Sequence, residues 1–473
     1  LTLTESLAGV TTINASAATA AVKVIGSGAT QATTFAFTGG SGNDELTMTG
    51  ASIVKTQTLD GGAGTADRLI ISDENTTALS AIAAGINASK NFEVLGFAGT
   101  TAALAGATVS TLVIDASLIT GITNFAVTGT RANGTQSTAA AKSVAGTTVT
   151  GTSNAQTFIF DADVTGQKST NGRAAGEGVT FAPAVDNGSN VLNLTLSGVS
   201  ITGGASDTTV GAGVAASTYE TVNIVSNANA AGTTTANALA AGAGTGTASG
   251  LVVNTNATVN ISGAADLNTG LITATNVTVN AANLTGKLTV TTGTGNDTIV
   301  GGSNVNTITL TGGVDTVDLS KSAAKADVVT TAATGTSSTQ FVQITGFTNG
   351  VTLGDKLDLS GTATVGADVA TTATGVANLN GSVTGGLLTL TGTAAATATL
   401  ANKVTAAFSA AGANGVQNAY VVFEHAGSTY VALELSSGAG FTAGTDELIQ
   451  LVGLTGVTAL SVSASGATTL WAV

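Results

Sequence analysis

The chain has 473 residues, of which only 8% are charged and 4% aromatic, and its formal net charge is −14. Nucleic acid is excluded as an expected partner, because phosphate binding requires clustered Lys and Arg. The absence of Cys excludes disulfides and thiolate metal sites, and no apolar run is long enough to span a membrane. With 43% apolar residues and 63 Gly, we expect a folded, all-β chain built from small side chains.

Residues 1–130 are predicted to form a ladder of short strands, because apolar and polar residues alternate and each run ends at Gly, Ala, Ser or Asn. Two Gly-rich turns, Gly39–Thr47 and Gly61–Leu69, interrupt this ladder. Spaced Leu, Ile and Ala residues predict a short helix within Thr76–Ser89. The candidate metal ligands of this segment are Asn43, Asp44, Asp60 and Asp67.

Residues 131–216 are polar, Gly-rich and weakly periodic, so they are predicted to be a loop-rich insertion or a small β domain. Two strands are predicted within them, at Phe158–Phe160 and at Val191–Leu196. Asp161 and Asp163 could act as a pair of catalytic carboxylates. A turn at the end of a strand is the more common explanation for this spacing.

Residues 217–330 resume the ladder and contain a repeat, in which Asp297, Asn306 and Asp315 lie nine residues apart. A large apolar residue follows each of them after one intervening residue, and a fixed period of nine predicts stacked coils. Facing carboxylates and carbonyls in such turns form an all-oxygen site that suits calcium. The alternative is that the acidic turns are solvated and only confer solubility. The candidate ligands here are Asn296, Asp297, Asn306, Asp315 and Asp318.

Residues 331–473 are predicted to form a C-terminal β domain. The sequence GDKLDLSG at Gly354–Gly361 supplies two further candidate ligands, Asp355 and Asp358. An ordinary polar turn between two strands explains these residues equally well. Tyr420–Ser436 alternates apolar and polar residues around an Ala-Gly-Ser turn, which predicts a β-hairpin.

Several of these segments resemble RTX proteins. Gly39–Thr47 (GGSGNDELT) and Thr292–Val300 (TGTGNDTIV) resemble the nonapeptide G-G-x-G-x-D-x-U-x, in which U is a large apolar residue. Phe341–Gly361 resembles the segment that closes the calcium-binding roll of such proteins. The order of ladder, nonapeptides, closing segment, hairpin and apolar C-terminus resembles RTX-type surface-layer proteins of Gram-negative bacteria, the Caulobacter type among them.

The resemblance agrees with the fold that we expect from the repeats, an elongated β-solenoid or β-roll, similar to a parallel β-helix, with a C-terminal β domain. It implies export by a type I secretion system that reads the C-terminal end, and an extracellular position on the cell surface. It also implies Ca²⁺-dependent self-assembly into a lattice, sheet or filament. A segment before Leu1 could hold the protein to cell-surface polysaccharide.

We therefore expect a structural protein and not an enzyme. The chain has one His and lacks an H-E-x-x-H motif, a nucleophile elbow, a Cys–His pair and a phosphate-binding loop. The chain has few of the Lys, Pro and charged residues that prevent strand edges from pairing with other molecules, which favours association between molecules. The alternative is an RTX adhesin or biofilm matrix protein that binds glycans or host surfaces through residues 131–216. A polysaccharide-active enzyme is the third hypothesis.

Overall fold

The fold is described from a computed structural model of the chain. The residues described are 1–5, 7–26, 31–73, 79–99, 112–129, 131–132, 135–136, 146–166, 168–169, 176–204, 211–232, 236–242, 249–323, 325–332, 339–350, 354–359, 364–365, 368–373, 376–412, 419–436, 440–457, 460–462 and 469–472.

The chain divides into two compact units. Unit 1 comprises Leu1–Asn254 with Asn268–Gly270, and unit 2 comprises Thr255–Leu267 with Leu271–Val473. The regular secondary structure described in each unit is mostly β-strand, and most of the strands pair in parallel with strands of the preceding and following coils. The predicted all-β class with solenoid-like coils is therefore confirmed. The segment borders expected after residues 130, 216 and 330 stay predictions.

Unit 1 contains one α-helix, α1 (Leu79–Ile86), and two 3₁₀ turns, Gly50–Ser52 and Ala116–Leu118, among its described residues. Its described strands are β1 (Thr2–Glu5), β2 (Thr12–Asn14), β3 (Lys23–Gly26), β4 (Ala36–Thr38), β5 (Glu45–Met48), β6 (Thr58–Asp60), β7 (Arg68–Ile71), β8 (Val94–Phe97), β9 (Leu112–Asp115), β10 (Asn124–Val127), β11 (Arg131–Ala132), β12 (Thr135–Gln136), β13 (Thr147–Thr152), β14 (Thr157–Phe160), β15 (Val164–Thr165), β16 (Lys168–Ser169), β17 (Val179–Pro183), β18 (Val191–Ser197), β19 (Ser200–Thr202), β20 (Val214–Ala216), β21 (Thr221–Asn227), β22 (Ala236–Ala240) and β23 (Leu251–Val253).

The strands of unit 1 stack in parallel rows. One row runs through β1, β3, β5, β7, β8, β10, β14, β18 and β21, and another through β9, β13, β17, β20 and β23. Because alternate residues of a strand share a face, one set of side chains points into the interior. Phe125 and Phe158 stack there with their ring centroids 5.4 Å apart. The strands predicted at Phe158–Phe160 and Val191–Leu196 lie in β14 and β18.

The predicted helix is present, with bounds narrower than its segment. Helix α1 begins at Leu79 and ends at Ile86, and it buries Leu79, Ile82 and Ile86. The beginning of the predicted segment, residues 76–78, lies outside the described residues.

Unit 2 contains one α-helix, α2 (Leu400–Gly412), and two 3₁₀ turns, Ser320–Ser322 and Ala395–Thr397, in the ranges given above. Its strands there are β24 (Thr258–Gly263), β25 (Asp266–Thr273, of which Asn268–Gly270 belong to unit 1), β26 (Thr278–Leu284), β27 (Leu288–Thr292), β28 (Thr298–Val300), β29 (Asn306–Thr309), β30 (Thr316–Asp318), β31 (Val328–Thr330), β32 (Val342–Thr345), β33 (Lys356–Asp358), β34 (Thr364–Val365), β35 (Val369–Ala373), β36 (Asn380–Thr384), β37 (Leu387–Thr391), β38 (Ala419–His425), β39 (Ser428–Glu434), β40 (Glu447–Val452), β41 (Leu460–Val462) and β42 (Thr469–Ala472).

The coils of unit 2 carry two main strand rows. The first row consists of β24, β26, β28, β30 and β32, and the second row of β27, β29, β31 and β33, all paired in parallel. Val279, Ile299 and Val317 lie directly above one another in the first row and are fully buried. Small β-branched side chains thus fill a narrow interior, as the composition predicts.

The nine-residue repeat corresponds to half a coil. Residues that stack in the first row, Asp297 and Asp315, are 18 residues apart, and Asn306 between them lies in the second row. Successive nonapeptides therefore alternate between the two rows. Side chains that are nine residues apart in the sequence do not lie next to each other along the stack.

The C-terminal part of unit 2 contains the predicted hairpin. Strands β38 and β39 pair antiparallel around Ala426 and Gly427, whose φ angles of 49° and 77° are typical of a two-residue hairpin turn. Strand β40 pairs antiparallel with β39 and parallel with β32, so the hairpin continues the first row. Helix α2 packs on this hairpin through Phe408. Within the described residues, no helix has the length and apolarity that crossing a membrane requires.

Candidate functional site

Asp297 and Asp315 of the repeats occupy the same structural position in successive coils. Each lies two residues before a fully buried apolar residue of a strand, such as Ile299 or Val317. Because alternate residues share a face, these polar side chains also point inward, at the point where the turn enters the strand. Asp297 and Asp315 are 1% exposed and Asn306 is 0% exposed. Other residues at this position are Asp44, Asp67, Glu93, Asp327 and Asp355.

The first-row ladder consists of Asp297 and Asp315. Asp297 Oδ1 accepts a hydrogen bond from the backbone N–H of Val277 at 2.7 Å, and Asp315 Oδ1 accepts one from the N–H of Asp297 at 2.8 Å. Each carboxylate thus binds the backbone of the preceding coil. The second oxygens, Asp297 Oδ2 and Asp315 Oδ2, are buried and have no hydrogen-bond partner among the described residues.

Burial makes the charged form of these two carboxylates unfavourable. It raises the pKa of Asp297 to about 6, and it raises the pKa of Asp315 to about 7 with a further contribution from the charge of Asp297. The nearby Thr292 hydroxyl opposes the shift in the pKa of Asp297, but Thr292 Oγ1 and Asp297 Oδ2 do not form a hydrogen bond of normal geometry. A buried polar group without a partner costs about 1–3 kcal/mol, and a charged group costs more.

The second-row ladder consists of Asn306, Asp327 and Asp355. The backbone N–H of Asn306 donates to Asp327 Oδ1 at 2.6 Å, and the N–H of Asp327 donates to Asp355 Oδ1 at 2.9 Å. Here the second oxygens also have partners. Asp327 Oδ2 accepts from the Ser322 hydroxyl at 2.5 Å, and Asp355 Oδ2 accepts from the N–H of Thr348 at 2.7 Å. Burial still raises the pKa of Asp355 to about 6.

Asn306 satisfies its position with its own amide. Its Oδ1 accepts from the N–H of Gly302 at 2.8 Å. Its Nδ2 donates to the Asn304 carbonyl at 2.9 Å and to Asp327 Oδ1 at 3.1 Å. The amide thus supplies donors that a carboxylate lacks, so this position does not require a positive charge.

A third ladder, in unit 1, consists of Asp44, Asp67 and Glu93. Asp44 Oδ1 accepts a hydrogen bond from the backbone N–H of Val22 at 2.7 Å. In the same way, Asp67 Oδ1 accepts from the N–H of Asp44 at 2.6 Å, and Glu93 Oε2 accepts from the N–H of Asp67 at 2.8 Å. Asp44 Oδ2 accepts from the N–H of Gly40 at 2.5 Å, whereas Asp67 Oδ2 is buried without a partner. Burial raises the pKa of Asp67.

The two remaining candidate Asn residues lie outside the ladders. Asn43 and Asn296 each precede a ladder Asp by one residue and therefore point the other way. Asn43 Oδ1 accepts from the N–H of Thr65 at 3.1 Å, and Asn296 Oδ1 accepts from that of Val314 at 2.9 Å. Their role here is to connect neighbouring coils.

The three remaining candidate Asp residues close strands. Asp60, Asp318 and Asp358 are the last residues of β6, β30 and β33. Asp60 Oδ1 accepts from the N–H of Gly62 at 3.0 Å, and Asp318 Oδ1 accepts from that of Ser320 at 2.9 Å. Burial raises the pKa of Asp358. The structure does not bring these three together with the inward carboxylates of the ladders.

Glycine lets the first-row turns approach one another closely. Gly313 has a φ of +120°, and a Cβ there would lie 2.1 Å from the carbonyl oxygen of Gly295 in the preceding coil. Turn carbonyls of one coil therefore lie against the turn of the next. No three His, Cys, Asp or Glu side chains converge within the described ranges. A cation at the first-row ladder would therefore take its remaining ligands from such carbonyls, from hydroxyls or from water.

Two ladder residues, Glu93 and Asp327, were missed in the sequence. Both show the signal that identified the others, since buried Leu95 and Val329 follow them at the same two-residue spacing. Neither lies in a recognisable Gly-rich nonapeptide. The apolar spacing is therefore the more general signal for this position.

The candidate catalytic pair is engaged in structural contacts. Asp161 Oδ2 lies 2.9 Å from Nη1 of Arg68 in an ion pair, and Asp163 Oδ1 accepts from the N–H of Ser200 at 2.7 Å. The carboxylates thus hold different partners, as expected of residues in a strand-end turn.

In comparisons with known proteins, no family model matches the chain, and no significant match is found among curated proteins.

Proposed function

We propose that this chain is a structural surface-layer protein that self-assembles, in a calcium-dependent way, into a lattice, sheet or filament on the bacterial cell surface. The observation that carries the proposal is the pair of buried, unpartnered oxygens at Asp297 and Asp315. Stacked carboxylates without a positive partner favour a hard cation bound by oxygen ligands.

The residues present suit such an ion. Asp297 and Asp315 in unit 2, and separately Asp67 in unit 1, each offer a free carboxylate oxygen inside a turn. Calcium would supply the positive charge that these carboxylates lack. The side chains themselves hold adjacent coils together through their other oxygen, so a cation bound at the free oxygens would also stabilise the contact between coils.

The outward faces of the coils support assembly. Thr258, Thr278, Thr298 and Thr316 lie in register along the first row and alternate with the inward core residues. A regular face of small uncharged side chains can pack against another copy without burying unpaired charge. The net charge of −14 opposes association until cations reduce it.

Export by type I secretion, the extracellular position and the attachment to cell-surface polysaccharide belong to the same proposal. They are supported by the nonapeptides at Gly39–Thr47 and Thr292–Val300 and by the closing segment at Phe341–Gly361. A structural role also agrees with the engagement of Asp161 and Asp163 in separate contacts.

Analytical ultracentrifugation of the full chain tests the proposal. We expect a monomer in chelator, large assemblies in millimolar calcium, and no equivalent effect of magnesium at equal concentration. A monomer in all three conditions would contradict self-assembly. Saturable glycan binding by that monomer would instead support the adhesin alternative, and turnover of an acidic polysaccharide would support an enzyme.

A further inference from the structure

A buried carboxylate outside the repeats interacts electrostatically with the first-row ladder. Glu447, the first residue of β40, is 0% exposed, and neither Oε1 nor Oε2 has a hydrogen-bond partner among the described residues. An ionised carboxylate with both oxygens unpartnered is among the costliest groups that a protein interior can hold. Such a residue therefore points to a binding partner.

Strand pairing explains how Glu447 reaches this place. In the coil that follows Asp315, the corresponding position is occupied by Val342, so the first-row ladder has no carboxylate there. Strand β40 then pairs in parallel with β32, with Ile449 opposite Val342. Glu447 lies two residues before Ile449 and therefore on the same face of β40. Its charge and that of Asp315 act on each other.

The Thr331 hydroxyl completes the cluster. It lies close enough to Glu447 to influence its ionisation, yet it makes no hydrogen bond of normal geometry. Four buried oxygen atoms from three separate segments thus have no hydrogen-bond partner among the described residues: Asp315 Oδ2, Thr331 Oγ1, Glu447 Oε1 and Glu447 Oε2. Asp315 and Thr331 both influence the ionisation of Glu447.

No side-chain cation compensates these charges in the described part of the chain, where the two ion pairs are Lys23–Glu45 and Arg68–Asp161. One Thr hydroxyl donates a single hydrogen bond, which is too few for two carboxylates. The donor set consists only of oxygen and carries two negative charges, which matches a hard divalent cation and excludes a preference for soft metals.

We propose that Asp315, Thr331 and Glu447 bind one divalent cation of the calcium type, which joins the C-terminal hairpin to the coils of unit 2. This inference rests on the proposed function, because Asp315 also belongs to the first-row ladder. It adds a ligand from outside the repeats and a distinct consequence: the cation holds β40 in place as well as the turns.

Isothermal titration of the full chain with calcium, combined with thermal unfolding in chelator and in calcium, tests this site. The variants are E447Q and T331V. The matched control is E434Q, because Glu434 on β39 is equally buried and also has one unpartnered oxygen, Oε2. Its charged neighbour is Asp446 instead of Asp315.

We expect E447Q to bind one calcium fewer than the wild type, or to bind it at least tenfold more weakly, and to lose part of the stabilisation by calcium. In chelator, E447Q should be as stable as the wild type or more stable, because a buried charge has been removed. T331V should weaken the same binding event, and E434Q should retain the wild-type stoichiometry.

Binding by E447Q and T331V that equals the wild type would overturn the inference and leave the proposed function standing. If E447Q does not fold, T331V decides alone, and unchanged binding by T331V overturns the inference. A wild type that binds no calcium at all would remove both this inference and the proposed function.

Discussion

The two rows of turns in unit 2 place acidic residues at the same structural position but satisfy them differently. In both rows a carboxylate oxygen accepts a hydrogen bond from the backbone of the preceding coil. In the second row the other oxygen accepts from Ser322 or Thr348, and in the first row it has no partner. Position in the coil thus sets burial, whereas the turn itself decides whether the second carboxylate oxygen has a hydrogen-bond partner.

The difference follows from the turns before each carboxylate. The second-row partners lie within the same connection, five residues before Asp327 and seven before Asp355. The first-row connection from Thr292 to Asp297 is short and contains two Gly. It leaves room for neighbouring turns to stack, but it brings no donor to Asp297 Oδ2.

Removing the first-row charges should have the largest effect on the response to calcium. In the double variant D297N/D315N, the amide oxygens can still accept from the backbone, so the coils remain joined. At calcium a hundredfold above Kd, each lost site removes about 2.7 kcal/mol of stabilisation. Calorimetry in calcium and in chelator measures this difference.

The matched second-row variant is D355N. Its amide would face the N–H of Thr348, so it should lose about 1–3 kcal/mol equally with and without calcium. Equal loss of the calcium response in both variants would show that the rows do not differ.

A methyl group in the first-row turn should destabilise the stack strongly. Gly313→Ala places a Cβ 2.1 Å from the Gly295 carbonyl oxygen at a φ of +120°, which forces the coils apart. For Gly301→Ala in the second row, the atoms nearest to the new Cβ belong to the Asn306 side chain, the first at 3.0 Å. We expect a loss of about 3 kcal/mol for the first variant and about 1 kcal/mol for the second. Urea denaturation compares them, and a larger loss for Gly301→Ala would contradict the packing described.

Asn306→Asp should give the second row a carboxylate with too few hydrogen-bond donors, as in the first row. The substitution removes the amide donors to Asn304 and Asp327 and places a second carboxylate beside Asp327. We expect stability in chelator to fall by about 1–3 kcal/mol and calcium to restore it. Restoration by calcium is measured by thermal unfolding, and a loss that calcium leaves unchanged would argue against cation binding at this position.

Metal-free stability should fall as the pH rises. The folded state raises the pKa of Asp315 from 3.8 to about 7, so it binds the proton more tightly than the unfolded state does. Stability is therefore greatest below pH 4 and decreases up to about pH 7, by at most ~1.4 kcal/mol per pH unit for each carboxyl. Denaturation in chelator at several pH values should show this slope, and D315N should reduce it.

The sequence predicts the parallel coils because Asp-x-Ile and Asp-x-Val spacings report which residues point inward. It also predicts the hairpin, from the alternation of apolar and polar residues around Ala426 and Gly427, and of these two Gly427 suits the positive φ angle of its turn. It does not reveal that nine residues make only half a coil, because periodicity contains no information on which strands pair. The influence of Asp315 on Glu447 could not be predicted, since it depends on pairing between β32 and β40, where Gln343 and Gln450 are 107 residues apart.

The most direct test is the thermal unfolding of the wild-type chain at pH 7 in chelator, in magnesium and in increasing calcium. If the first-row oxygens of Asp297 and Asp315 require a cation, calcium should raise the unfolding temperature in a saturable manner, and magnesium should do so much less. An unfolding temperature that is the same in chelator and in millimolar calcium would contradict the account.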